Sequence, residues 1–165
     1  AAHAEGDAAA RDARARLRPG LGVRGHQPAL LRRQHAGADH LGPRGAVAAG
    51  GVAFAIGRAA RLRVESPWPT DALAVCSFGD ASANHAVAAG AINTALHCAH
   101  QRLPLPLLFV CEDNGLGISV RTPAGWIESA YGNRPHLRYA GVDGTDPESV
   151  LAVTAVLTTY YSPES

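Results

Sequence analysis

Residues 72–78, with the sequence ALAVCSF, form a continuous apolar run of strand length, as a strand buried on both faces of a sheet requires. The run ends at the GDAS sequence of residues 79–82, where Asp80 or Ser82 is expected to cap a helix. We expect this helix to extend over roughly 18 residues to about Gln101. A strand followed by a helix is therefore the starting unit of the predicted fold.

Two further strands are expected after this helix. The sequence LPLPLLFVC of residues 103–111 is apolar, but its prolines cannot donate hydrogen bonds in a sheet, so the strand is expected to begin near Leu107. A glycine-containing loop (112–119), a third strand at Leu137–Val142 and a helix that begins at Pro147 are expected next. This alternation predicts an α/β fold with an open, mainly parallel sheet and flanking helices.

The composition indicates one globular domain that binds neither nucleic acid nor a membrane. The chain has 165 residues, of which 47% are hydrophobic, and a net charge of +1, which is no signature of nucleic-acid binding. No apolar run reaches the roughly 18 residues that a membrane span needs. The three cysteines are an odd number without C-x-x-C spacing, so we expect reduced thiols and a cytoplasmic protein.

Residues 1–50 differ in character from the rest of the chain. This segment is irregular, rich in Ala, Arg and Gly, and contains no Phe, Tyr or Trp. Within it, Ala8–Leu17 is expected to form a short helix, whereas residues 19–51 are expected to be loop because they are dense in Gly and Pro. A short amphipathic helix is expected at 52–63. The segment is interpreted as an irregular or extraneous arm; the alternative, a basic arm for nucleic acid, lacks stacking aromatic residues.

Polar residues follow the first two predicted strands. Asp80 lies two residues after Phe78, and Asn114 lies three residues after Cys111. If the strands are neighbours, about 4.8 Å apart, both side-chain oxygens can face one point at the end of the sheet where α/β proteins bind ligands. Such oxygens suit Mg²⁺ and a phosphate rather than zinc, and a helix N-terminus after Gly79 also favours a phosphate. From spacing alone, ordinary turn and capping roles remain the alternative.

Three motifs occur in order on this frame, namely CSFGDASANH (76–85), LFVCEDNGLGIS (108–119) and YAGVDGTD (139–146). Together they resemble the α-type, diphosphate-binding chain of the thiamine diphosphate-dependent decarboxylating component of 2-oxoacid dehydrogenase complexes, in its branched-chain or pyruvate dehydrogenase-like versions. RTPAGWIES (121–129) is similar to the segment that follows the family's Asn loop. The resemblance covers about residues 51–153 and implies the thiamine diphosphate-binding fold.

The resemblance also implies site residues. Those expected to bind Mg²⁺ are Asp80 through its carboxylate, Asn114 through its amide oxygen and Leu116 through its backbone carbonyl. Those expected to line the cofactor near its diphosphate are Gly79, Ala81, Ser82 and Glu112. Two positions depart from the family's motifs, because Ala81 stands in place of a Gly and Asp113 in place of an Asn. No catalytic residue is assigned.

The implied reaction is the oxidative decarboxylation of a 2-oxoacid, with transfer of the acyl group to a lipoyl carrier. The implied partners are a β-type chain or domain, which supplies the Glu that activates the cofactor, and a lipoyl-bearing acyltransferase. Since no such Glu is assigned in this chain, we expect the isolated chain to have little activity. Another thiamine diphosphate enzyme, such as a transketolase-like protein, and a non-catalytic fragment are the alternatives.

The resemblance does not extend over the whole chain. We expect residues 51–165 to form a partial, truncated thiamine diphosphate-binding domain. Residues 1–50 show no convincing match, and we expect them not to be native family sequence. The abrupt change near Gly51 motivates the hypothesis that the chain is a truncated or frame-disturbed product.

Overall fold

A computed structural model of the chain describes residues 29–34, 42–69 and 71–159. The strands in these ranges are β1 (Ala29–Gln34), β2 (Ala74–Gly79), β3 (Leu107–Asp113) and β4 (Arg138–Asp143). The helices are α1 (Gly42–Leu62), α2 (Asp80–Ala83), α3 (Ala86–His100), α4 (Trp126–Tyr131) and α5 (Pro147–Thr159). None of these helices is both long enough and apolar enough to cross a membrane.

The four strands form one parallel sheet in the order β2-β3-β1-β4, which confirms the predicted α/β class. β2 and β3 are direct neighbours, and their pairing places Gly79 opposite Glu112. Parallel strands end at the same edge of a sheet, so the segments that follow β2 and β3 emerge side by side. The sheet therefore brings the two predicted polar loops to one place.

The interpretation of residues 19–51 as loop is wrong in two ranges. Residues 29–34 form β1, which pairs with both β3 and β4, and α1 already begins at Gly42 rather than at residue 52. β1 joins the sheet because two neighbouring strands satisfy its backbone hydrogen bonds. The expected helix at Ala8–Leu17 lies outside the described residues, and the division of the chain at residue 50 stays a prediction.

The prediction of a single helix from Asp80 or Ser82 to Gln101 is also wrong, because the structure has two helices in this range. The four-residue helix α2 has Gly79 as its N-cap without a side-chain hydrogen bond. α3 then begins with His85 as N-cap, whose Nδ1 accepts a hydrogen bond of 3.2 Å from the backbone N–H of Val87. The N-cap of the long helix therefore lies three to five residues later than expected, at His85, and neither Asp80 nor Ser82 caps this helix.

The sheet carries helices on both faces, in the layered arrangement of α/β proteins. One core joins α1, α3 and α4 to the buried side chains of Cys76, Phe78, Leu107, Phe109 and Cys111. A second core joins α5 to Leu108, Ala140 and Val142. Because α5 packs against β4 and β1, it leaves Val75 of β2 53% exposed. The expectation that this strand is buried on both faces is therefore wrong, whereas β3 is buried along nearly its whole length.

Two glycines of α1 provide a matched test of this packing. A Cβ at Gly57 would lie 2.2 Å from the backbone oxygen of Pro104, whereas a Cβ at Gly51 would meet nothing within 4 Å. We expect Gly57→Ala to lower the free energy of unfolding by about 1–3 kcal/mol, because a backbone atom cannot move aside cheaply. Gly51→Ala should raise it by about 0.5–1 kcal/mol through helix propensity. Urea unfolding measures both, and changes of equal sign and size would contradict the packing of α1.

Candidate functional site

Asp80 is the most deeply buried charged residue of the predicted site, with 1% of its surface exposed. Its Oδ1 accepts a hydrogen bond of 2.9 Å from the N–H of Ala81, and its Oδ2 accepts one of 3.1 Å from the N–H of Gly115. The hydroxyl of Thr122 also donates to Oδ2. The carboxylate thus connects the end of β2 to the loop after β3, and these three donors are all neutral.

The loop after β3 folds into a small hairpin over α2. The N–H of Gly117 donates to Val120 over 2.7 Å, and the N–H of Thr122 donates to Gly115 over 3.2 Å. Gly115 adopts a positive φ of 74°, a conformation that glycine adopts without steric cost. A Cβ at Gly117 would lie 3.2 Å from the Cβ of Ala81, so the hairpin packs directly against α2.

Asn114 and Leu116 lie at the start of this hairpin. The Oδ1 of Asn114 accepts a hydrogen bond of 2.9 Å from the N–H of Leu116, which folds the chain into an Asx turn. Leu116 and Arg121 form an antiparallel bridge flanked by the two hairpin hydrogen bonds. In such a pair the N–H and C=O groups point away from the opposite strand, so the Leu116 carbonyl takes no part in the ladder.

Glu112, the next-to-last residue of β3, is buried with 6% of its surface exposed. Its Oε1 accepts a hydrogen bond of 3.3 Å from the hydroxyl of Ser77. Its Oε2 is buried and has no hydrogen-bond partner among the side chains that the structure describes. A buried acceptor without a partner lowers the stability of a folded protein. We therefore expect this oxygen to accept a hydrogen bond or to contact a cation when the site is filled.

The remaining predicted site residues surround the end of β2. Gly79 is the last residue of β2, and Ala81 and Ser82 lie in α2, with Ala81 exposed and Ser82 half-buried. The helix after Gly79 has only four residues, so the predicted phosphate attraction of a long helix N-terminus is not available there. The predicted set nevertheless occupies one region, at the carboxyl ends of β2 and β3.

Thr122 and Tyr131 belong to this region but were not predicted from the sequence. The Thr122 contact with Asp80 spans 42 residues, and no motif spacing indicates it. The hydroxyl of Tyr131, in α4, donates a hydrogen bond of 3.2 Å to the backbone oxygen of Ala83, the last residue of α2. Tyr131 lies two residues after the RTPAGWIES segment (121–129), and no sequence motif indicated this support of α2.

We expect Tyr131→Phe to lower the free energy of unfolding by about 0.5–1.5 kcal/mol at neutral pH, because the Ala83 oxygen loses its donor. Burial raises the pKa of the Tyr131 phenol above its usual value of 10.0, against a smaller opposing effect of Arg134. The folded state therefore favours the protonated phenol, and its contribution is lost as the pH rises above about 10. Urea unfolding between pH 8 and 11 should show the difference between wild type and variant shrinking at alkaline pH; a constant difference would contradict this.

The oxygen atoms of this region determine which metal it can hold. The described residues contain no group of three or more His, Cys, Asp or Glu side chains that could bind a metal ion. One carboxylate, one amide oxygen and one backbone carbonyl are hard ligands, which fit Mg²⁺ with water and phosphate oxygens rather than Zn²⁺. The buried Asp80 carboxylate, which is hydrogen-bonded by neutral donors, favours a nearby cation for the same electrostatic reason.

A large apolar cavity of the described residues lies away from this region. An apolar groove of about 590 Å³ runs between α1 and α3, lined by residues such as Val47, Phe54 and Val87. None of the seven predicted site residues lines it. The candidate site is therefore defined by the contacts at the strand ends and not by cavity size.

The chain has an open parallel α/β sheet with a buried carboxylate and a hairpin loop at adjacent strand ends, which is the edge where proteins of this fold class bind ligands. The chain belongs to the family of dehydrogenase E1 components, because the family model with the description "Dehydrogenase E1 component" matches residues 24–164. This match confirms the resemblance to the decarboxylating component of 2-oxoacid dehydrogenases, a thiamine diphosphate-dependent family whose members normally work with other chains. Searches of curated proteins and of solved structures gave no match.

Proposed function

We propose that the chain binds thiamine diphosphate together with Mg²⁺ at the carboxyl ends of β2 and β3. The proposed Mg²⁺ ligands are the carboxylate of Asp80, the amide oxygen of Asn114 and the backbone carbonyl of Leu116. The proposed cofactor-binding residues are Gly79, Ala81, Ser82 and Glu112. The observation that carries the proposal is the hydrogen bond between the Gly115 N–H and Asp80, which joins the two loops across 35 residues.

Three features of these residues support an oxygen-ligated metal. The Asp80 carboxylate is buried, and the donors that hold it are neutral. The Leu116 carbonyl takes no part in the hairpin ladder. The Asn114 amide oxygen accepts one hydrogen bond, and a carbonyl-type oxygen has a second lone pair for a metal.

Glu112 would contact the cofactor site in a different way from the other lining residues, because its side chain can only accept hydrogen bonds. Its unpartnered Oε2 is an acceptor, and an acceptor cannot pair with a phosphate oxygen. A water molecule on the metal, or an N–H group of the cofactor, would satisfy it. We therefore assign Glu112 to the edge of the diphosphate site, with Ser77 fixing the orientation of its carboxyl group.

The reaction that we propose is the oxidative decarboxylation of a 2-oxoacid, with transfer of the acyl group to a lipoyl carrier. The thiazolium ring of the cofactor supplies the electron sink for this chemistry. The part assigned to this chain is to hold the metal and the diphosphate in place. A β-type chain or domain and a lipoyl-bearing acyltransferase are the proposed partners. The three cysteines, an odd number without C-x-x-C spacing, support a cytoplasmic location.

Calorimetric titration of thiamine diphosphate into the full chain, with Mg²⁺ or with EDTA, tests the binding proposal. We expect binding with Mg²⁺ that falls at least tenfold with EDTA, because the diphosphate charge needs the metal. A decarboxylation assay should show little turnover by the chain alone and turnover after addition of a β-type chain. Equal affinity with and without the metal would overturn the proposed Mg²⁺ site. Robust turnover by the isolated chain would overturn the proposed need for a β-type chain.

A further inference from the structure

Two histidines outside the site described above meet at the C-terminal end of α3. His100 is the last residue of α3, and His136 lies in the turn before β4. The Nδ1 atom of His100 and the Nε2 atom of His136 are 3.2 Å apart. Their rings are inclined by 71°, with ring centroids 5.2 Å apart. The structure thus brings two imidazole nitrogens together across 36 residues of sequence.

This separation fits two ligands on one metal ion. Two imidazole nitrogens at about 2.0–2.1 Å from a tetrahedral Zn²⁺ lie about 3.3–3.4 Å apart, and their ring centres lie about 5.2 Å apart. The observed values of 3.2 Å and 5.2 Å agree with both. A neutral hydrogen bond between the rings has a similar nitrogen separation, so binding measurements must distinguish the two.

Groups around the two histidines affect the affinity of the pair for a metal ion in opposite directions. The carbonyl groups at the C-terminal end of α3 carry partial negative charge, which favours a cation next to His100. His136 has a positive φ of 66°, an uncommon backbone conformation that carries a steric cost and is enriched at functional positions. Arg102 and Arg134 are exposed cations two residues away in sequence from the histidines, and their charge limits the affinity for a metal.

We propose that His100 and His136 form a chelating pair for a borderline divalent transition-metal ion such as Zn²⁺, Ni²⁺ or Cu²⁺. The pair is not part of a group of three or more His, Cys, Asp or Glu ligands among the described residues, so water completes the coordination shell. His100 is exposed and His136 is half-buried, so the metal can enter from solvent. A bound ion would connect the end of α3 to the turn before β4.

Titration of the full chain with Cu²⁺, Ni²⁺ and Zn²⁺ by calorimetry tests this proposal. We expect Cu²⁺ to bind most tightly, following the usual order for nitrogen ligands, and excess Mg²⁺ not to compete. His100→Ala and His136→Ala should each lower the affinity at least tenfold. The matched control is His97→Ala, since His97 is exposed on the same helix and its Nε2 contacts the side chain of Gln101. Circular dichroism checks that each variant is folded.

The Cu²⁺ form offers a second readout that does not depend on affinity alone. Its electron paramagnetic resonance spectrum should show coupling to two imidazole nitrogens in the wild type and to at most one in either single variant. Zn²⁺ should raise the melting temperature of the wild type and not of the variants. The proposal is overturned if His100→Ala binds as tightly as the wild type, or if His97→Ala loses as much affinity. Because this pair lies outside the Asp80 region, either result leaves the cofactor proposal unaffected.

Discussion

Replacing Asp80 with alanine is expected to reduce Mg²⁺-dependent binding of thiamine diphosphate at least a hundredfold. The carboxylate is the only charged group among the three proposed metal ligands, and the remaining amide and carbonyl oxygens attract Mg²⁺ far less. The substitution also leaves the N–H of Gly115 and the hydroxyl of Thr122 without their acceptor, which costs about 1–3 kcal/mol of stability. Binding and unfolding must therefore be measured on the same preparation.

Asp80→Asn separates the charge from the packing, because it keeps the volume and one oxygen. We expect this variant to stay folded and still to lose metal-dependent binding. The matched control is Asp113→Asn, which alters a neighbouring carboxylate that is not assigned to the metal and introduces the residue found in the family's motif. Calorimetry on the folded variants should show normal binding for Asp113→Asn. Unchanged binding in Asp80→Asn would contradict the role given to Asp80.

Phe109→Ala is expected to have the largest effect on stability, lowering the free energy of unfolding by about 3–5 kcal/mol. Phe109 lies in β3, is 0% exposed, and packs against Phe78 of β2 in an edge-to-face contact with ring centroids 6.0 Å apart. Its removal leaves a cavity between the sheet and its helices. Since domains of this kind are stable by about 5–15 kcal/mol, much of the folding free energy would be lost.

Urea unfolding of Phe109→Ala, with Val75→Ala as control, tests this expectation. Val75 lies on β2 beside β3 and is 53% exposed, so its truncation should cost less than about 1 kcal/mol. Phe109→Leu should cost less than Phe109→Ala because it leaves a smaller cavity. Similar losses for Phe109→Ala and Val75→Ala would show that β3 is not buried as the structure has it.

The features that sequence patterns predicted are those that local chemistry determines. Pro104 and Pro106 cannot join a ladder, and β3 begins at Leu107 as expected. Pro147 begins α5, and the third expected strand differs from β4 by one residue at each end. The meeting of Asp80 with the loop after β3 followed from the parallel pairing of two neighbouring strands.

The features that sequence patterns missed depend on contacts between distant residues. β1 contains Arg32, Arg33 and Gln34, which indicate no strand, and its backbone is paired only because β3 and β4 flank it. The break between α2 and α3 was missed because the apolar spacing continues through it, while the His85 side chain caps the second helix. The contact of Thr122 with Asp80 forms only once the hairpin folds over α2.

The proposed site depends on one divalent ion, held by protein oxygens, that binds the diphosphate of the cofactor. Pulsed electron paramagnetic resonance with Mn²⁺ in place of Mg²⁺ tests it most directly, because Mn²⁺ accepts the same oxygen ligands. In the presence of thiamine diphosphate we predict coupling of bound Mn²⁺ to phosphorus and no coupling to imidazole nitrogen, with both the bound ion and the phosphorus coupling lost in Asp80→Asn. Mn²⁺ that stays free in solution, or that remains coupled to phosphorus on the folded Asp80→Asn variant, would contradict the account.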